Sequence, residues 1–136
     1  MVVEWARSRL GRYRYCCSGV LKLRREICLV NLDPVIMGEP ATTRPAVIVS
    51  NDAANTVNAA LGRGVITVVS ITSNIDRVYP FQVFLDAAVT GLDTDSKAQV
   101  EQVRAVSVQR VGGRLGGLSA ELHDQLNVAL RLHLML

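Results

Sequence analysis

With 136 residues, 49% of them apolar, the chain can bury a single core, and no repeat or low-complexity stretch argues for more than one domain. No window approaches the 18 or so uninterrupted apolar residues of a membrane span, and arginines fill the N-terminus where a signal peptide needs its apolar centre. The expectation is a cytoplasmic protein without membrane attachment. The net charge of +3 is unevenly divided: residues 1–25 hold seven Lys/Arg and one acid, whereas residues 26–136 hold eight and eleven. The basic balance therefore belongs to an N-terminal arm, which can strengthen encounters with nucleic acid through phosphates but carries no sequence choice.

In chain order, residues 1–21 show neither alternation nor a helical stripe and read as a basic, poorly ordered extension, with the domain occupying residues 22–136. ICLVNL is a predicted strand closed by Asp33-Pro34, AVIVS a second and GVITVVSIT a third, all rich in Val and Ile at strand length. Between the second and third, DAANTVNAAL reads as a short helix, with Asn51 or Asp52 as N-cap and Gly62 and Gly64 as stop signals. FQVFL and KAQVEQVRAVSV add further strands, separated by the turn-like TGLDTD. VGGRLGG reads as a glycine-rich loop, since it matches neither the P-loop nor the dinucleotide fingerprint. A final helix starts at Ser119, with Leu122, Leu126, Ala129, Leu130, Leu132, His133 and Leu134 at near-helical spacing. This order fits an α+β fold: a small barrel or strongly twisted sheet with a short inserted helix and a C-terminal helix.

The chemistry-bearing residues are few. Three cysteines, two of them adjacent, form no C-x-x-C and have no histidine nearby, so neither a disulfide framework nor a zinc site is expected, and Cys28 reads as a buried hydrophobe. His123 and His133 lie about 80° apart around one helix and about 15 Å along it, so they cannot serve one phosphate as an acid/base pair within a chain. On the apolar face His133 reads as packed, and His123 as solvated. Arg44-Pro45 is more informative: proline extends the residue before it and lacks a ladder donor, so Arg44 should be presented at the mouth of a strand. A guanidinium held there offers a permanently charged fork to a phosphate. Thr72, Ser73 and Asn74 bring two hydroxyls and an amide to the end of another core strand, and the two clusters together make an anion cleft.

Read together, L-V-N-L-D-P, G-E-x-x-x-x-R-P-A-V-I-V-S-N-D, G-V-I-T-V-V-x-I-T-S-N, Y-P-F-Q-V and K-A-Q-x-E-Q-V-R resemble the MazF/PemK toxins from about Leu23 to the C-terminal helix. The resemblance implies an SH3-like barrel shared with CcdB. It also implies a dimeric, metal- and cofactor-independent endoribonuclease that arrests growth by cutting single-stranded RNA (mRNA, rRNA or tRNA), partnered by a MazE-like antitoxin. On this resemblance Arg44 and Thr72 are catalytic, and Glu39, Thr43, Ser73 and Asn74 line the RNA groove. The sequence also departs from the family: Arg25 replaces a glycine and Cys28 a tryptophan in the usual R-G-[DE]-[IL]-W, Met37-Gly38-Glu39 stands where G-S-E is common, and Ser70 replaces a frequent proline. Two alternatives share the scaffold: a CcdB-like gyrase-binding toxin, and a decayed member that binds antitoxin without cutting.

Overall fold

The computed structural model describes residues 23–32 and 43–136. The basic extension and Glu39, with its neighbours Met37 and Gly38, lie outside the described residues. Six strands, β1 (Glu26–Asn31), β2 (Thr43–Ile48), β3 (Val65–Thr72), β4 (Gln82–Leu85), β5 (Ser96–Ser107) and β6 (Val111–Gly117), form one antiparallel sheet in the order β4-β5-β3-β2-β1-β6. Three α-helices accompany it among the described residues, α1 (Asp52–Leu61), the single-turn α2 (Ala87–Thr90) and α3 (Ala120–Leu134), and a 3-10 turn (Val108–Arg110) joins β5 to β6. The α+β class is as expected. Among the described residues the end strands β4 and β6 do not pair, so the barrel is an open, bent sheet.

Strand alternation sorts the apolar residues into two cores, one on each face. Ile27, Leu29, Val47, Val69, Ile71, Val83 and Leu85 join Leu126 and Ala129 of α3. Cys28, Val30, Ala46, Ile48, Val68 and Val106 form a second cluster with Val111 of β6. Burial on both faces is why ICLV and AVIV read as unbroken apolar runs instead of alternating ones. Cys28 is fully buried in the second cluster, where its small side chain packs as a hydrophobe.

The helix ends follow the cap chemistry. Asn51 Oδ1 accepts from Ala54 N at 2.8 Å and Gly62 closes α1 at φ 64°; Ser119 Oγ accepts from Leu122 N at 3.2 Å at the start of α3. Asn55, fully buried on α1, is held at both ends by Ser50: its Oδ1 accepts from Ser50 Oγ at 2.5 Å and its Nδ2 donates to Ser50 O at 3.0 Å. Ser50 Oγ in turn accepts from Thr67 N at 3.2 Å, which fixes α1 to β3.

VGGRLGG is strand β6, not a loop. Its glycines carry no side-chain pattern to advertise a strand, but Gly116 pairs with Ile27 and leaves room for the carbonyl of Thr90 at the end of α2. Arg25 adopts φ 82°, the left-handed region that glycine enters without steric cost, so the backbone here keeps a glycine-like turn despite the substitution.

Candidate active site

β2 lies between β1 and β3, and its pairing with β3 begins only at Ala46↔Ser70. Pro45 therefore falls before that ladder starts, where a missing N–H costs no β3 hydrogen bond, and the strand begins earlier than AVIVS, at Thr43. Continuing the same antiparallel register by two residues sets Arg44 opposite Thr72. Directly opposed residues share a face, so both positions fall on the face away from α3. β5 extends the row, because Lys97 pairs with Thr72, and Phe84 of β4 pairs with Lys97.

This row marks a change of character on the sheet. Below it the face is the apolar cluster of Ala46, Ile48 and Val68; level with it and toward β4 the buried groups turn polar, with Ser70, Gln82 and Lys97 all under 10% exposed. Arg44 Nε is buried and has no hydrogen-bond partner among the described residues. A desolvated donor with nothing to donate to is costly, and an anionic ligand oxygen is the group that would satisfy it.

Thr72 is prepared in a complementary way. Its Oγ1 accepts from Asn74 N at 3.2 Å, which leaves the hydroxyl proton free to be donated. Asn74 Oδ1 is occupied by Asp76 N at 3.3 Å, so Asn74 shapes the turn after β3 as well as standing exposed beside it. Ser73 is half-buried next to Thr72. Thr43 differs, since alternation along β2 assigns it to the opposite face from Arg44. The register thus places Arg44 and Thr72, with the Ser73–Asn74 turn following it, on one face of the sheet and Thr43 on the other.

Lys97 is the site residue that the sequence alone did not mark. Its Nζ donates to Arg77 O at 2.5 Å, tying the segment after Asn74 down beside Thr72. The only signal was its place in K-A-Q-x-E-Q-V-R, and the register that sets it opposite Thr72 cannot be read from one strand.

The histidines sit apart from this row, and their environments are the reverse of those expected. His133 is exposed, its ring 6.3 Å from Phe81. His123 is half-buried and its Nε2 accepts from Arg24 Nε at 3.0 Å. Arg24 also donates through Nη2 to Asn127 Oδ1 at 2.7 Å and through Nη1 to Val49 O, bridging the strand ends to α3. Burial, followed by the positive charges of Arg24 and Arg25, lowers the His123 pKa below its ordinary value, against a smaller opposing pull from Asp124.

The sequence pattern of the PemK-like, MazF-like toxins of type II toxin-antitoxin systems matches residues 23–134. The chain belongs to that family. A MazF relative from Mycobacterium tuberculosis, endoribonuclease MazF9, is 54% identical over 111 residues, covering 82% of this chain and 94% of the relative. Endoribonuclease EndoA of Bacillus subtilis is 29% identical, covering 83% of this chain and 94% of its own length. Among solved structures, the Mycobacterium tuberculosis toxin MazF-mt6 superposes with a TM-score of 0.67 at 24% identity, covering 82% of this chain and 98% of that one. At that identity the likeness shows the fold alone, and the MazF fold is the open six-stranded sheet with helices described above. A mycobacterial endoribonuclease solved with its cognate antitoxin has the same fold, with a TM-score of 0.66 at 20% identity over 87% of this chain and 97% of that one.

Proposed function

We propose that this chain is an endoribonuclease, the toxin of a type II toxin-antitoxin pair, that cuts single-stranded RNA at short sequence motifs and leaves 2′,3′-cyclic phosphate and 5′-OH ends. The single observation that carries this reading is the β2–β3 register, which continued by two residues sets Arg44 opposite Thr72, with Arg44 Nε buried and unpartnered among the described residues. In the reaction the ribose 2′-OH attacks the adjacent phosphorus and loses its proton to solvent, the P–O5′ bond breaks with the departing 5′ oxygen taking up a proton, and negative charge builds on the phosphoryl oxygens in between. Arg44 donates to that charge, and the Thr72 hydroxyl donates to a phosphoryl oxygen or orients the nucleophile. Donors aimed at developing charge in a desolvated site are each worth on the order of 3 kcal/mol in barrier. The requirement for a 2′-OH selects RNA over DNA.

Glu39, Ser73 and Asn74 are proposed to contact the RNA around this pair, and Thr43, on the opposite face of β2, is not. The toxin is read as a cytoplasmic homodimer that needs neither metal nor cofactor. Its antitoxin is a small chain whose acidic, apolar-studded tail competes with phosphates for Arg44. Among the described residues no helix is long and apolar enough to cross a membrane. The test is incubation of purified protein with varied single-stranded RNAs in EDTA, with end-group mapping of the fragments. Fragments with 5′-OH ends that depend on Arg44 support the reading; their absence across all sequences sinks it, and inhibition of gyrase without RNA cleavage would replace it.

A further inference from the structure

The segment between β3 and β4 is tied to the site by two buried side chains. Lys97 Nζ holds Arg77 O at 2.5 Å, and Gln82, 8% exposed, accepts from Tyr79 N at 3.1 Å through Oε1 while its Nε2 donates to Glu101 Oε1 at 2.6 Å. What these ties present is an aromatic face with a cation beside it. The Tyr79 and Phe81 rings are parallel, 1° apart in orientation with centroids 5.4 Å apart. The Arg77 guanidinium lies 5.7 Å from the Tyr79 ring centre and donates to its hydroxyl at 3.3 Å.

Ordinary packing does not account for this arrangement. Tyr79 is 41% exposed and Arg77 is exposed, yet their backbone is fixed by two buried polar groups. A tyrosine backed by a second ring costs little further entropy when a planar ligand stacks on it. The exposed Arg77 guanidinium beside the ring, with Lys97 holding the Arg77 carbonyl, brings positive charge to this face, which suits a polyanion. Lys97 is also paired with Thr72, so the residue that holds this segment stands one strand spacing, roughly 5 Å, from Thr72.

We propose that Arg77 and Tyr79, supported by Phe81 and positioned by Lys97, form a stacking site for an unpaired nucleobase that flanks the scissile phosphate. Unstacked RNA bases pack on aromatic rings and arginine planes, and the contact tolerates any base because each has a π-face. The site therefore contributes grip on single-stranded RNA more than choice of sequence. Lys97 acts through the segment it holds and is a positioning residue. The proposal rests on the reading of this chain as an RNA-cutting enzyme, and the experiment keeps the two apart.

Binding is measured by fluorescence anisotropy with a 10-nucleotide random-sequence 2′-O-methyl RNA, which lacks the nucleophilic hydroxyl, and with an abasic strand of the same length. Wild-type protein and Tyr79→Phe should prefer the base-bearing strand by about tenfold, and Tyr79→Leu, which keeps bulk without a π-face, should lose that preference with unchanged affinity for the abasic strand. Arg77→Gln, at an exposed position that leaves the fold intact, should weaken binding of the base-bearing strand several-fold. Lys97→Met should raise KM more than it lowers kcat, with partial rescue by Lys97→Arg. If Tyr79→Leu and Arg77→Gln bind the base-bearing strand as wild type does while wild type cleaves RNA, the stacking site is overturned and the enzyme stands. If wild type neither binds nor cleaves any RNA, both readings fall.

Discussion

Gly116 and Gly117 are adjacent in β6, yet the structure predicts very different costs for adding one methyl group to each. A Cβ on Gly116 would lie 1.9 Å from the Thr90 carbonyl oxygen, about 1.5 Å short of the 3.4 Å at which ordinary contact begins. Thr90 cannot yield easily: its amide and hydroxyl both donate to Asp86 O, at 3.0 and 2.9 Å, and Gly91 caps the turn at φ 83°. Relief must come from moving β6 off β1 or α2 off the sheet, so Gly116→Ala should cost about 3 kcal/mol, at the upper end of overpacking. A Cβ on Gly117 meets only the flexible Arg114 Nη2 at 3.0 Å and Arg25 O at 3.6 Å, so Gly117→Ala should cost less than about 1 kcal/mol. Thermal melting followed by circular dichroism should show Tm lowered on the order of 10 °C for the first and by a few degrees at most for the second. Equal shifts would refute the packing argument. Two stable variants that had both lost RNA binding would instead make this glycine stretch a ligand cradle.

Acid should weaken the fold through His123. Its pKa is lowered from 6.5 in the folded protein, chiefly by burial, so as pH falls the unfolded chain takes up the proton first and stability drops from about pH 6.5 downward until the folded ring also protonates. Tm measured at pH 7.5 and 5.5 should fall more for wild type than for His123→Gln; parallel curves would contradict this. Asn55→Ala strands the Ser50 groups that Asn55 holds and should cost about 2 kcal/mol in urea unfolding, whereas a change within 0.5 kcal/mol would show the network to be dispensable. Thr72→Val keeps strand shape but removes the hydroxyl, and should slow RNA cleavage about 100-fold with unchanged Tm, while Thr72→Ser stays within about tenfold of wild type. Cleavage by Thr72→Val at the wild-type rate would remove Thr72 from the reaction.

Legibility in the sequence followed the range of the interactions. Asn51, Gly62 and Ser119 announced helix ends because a cap is a local bargain between a side chain and backbone three residues away. The Val- and Ile-rich strands were equally plain. β6 was not, since the reason for glycine at 116 is a carbonyl contributed by a helix some 26 residues earlier in the chain. The two histidines were misjudged for a similar reason: helical spacing gives a face, but Arg24, arriving from before β1, decides which imidazole has a partner.

The candidate site was half visible. Arg44-Pro45 and ITSN each carried a weak signal, and the motif order made them specific, but their facing depends on the β2–β3 register. Alternation along β2 sets Thr43 on the far face, and the β3–β5 register brings in Lys97, which its sequence neighbours do not single out. Arg25 shows the opposite case, in which a substituted residue still adopts the glycine-like φ of 82° and the strand after it keeps its place.

The central claim is that Arg44 meets the charge that builds on a phosphate. Single-turnover cleavage of a short RNA by wild type, Arg44→Lys and Arg44→Ala, alongside binding of the uncleavable 2′-O-methyl strand, tests it most directly. The account predicts that Arg44→Ala slows the chemical step by about 100-fold or more while binding weakens less than tenfold, with Arg44→Lys between the two. Undiminished cleavage by Arg44→Ala, with the same fragments and ends, would contradict it.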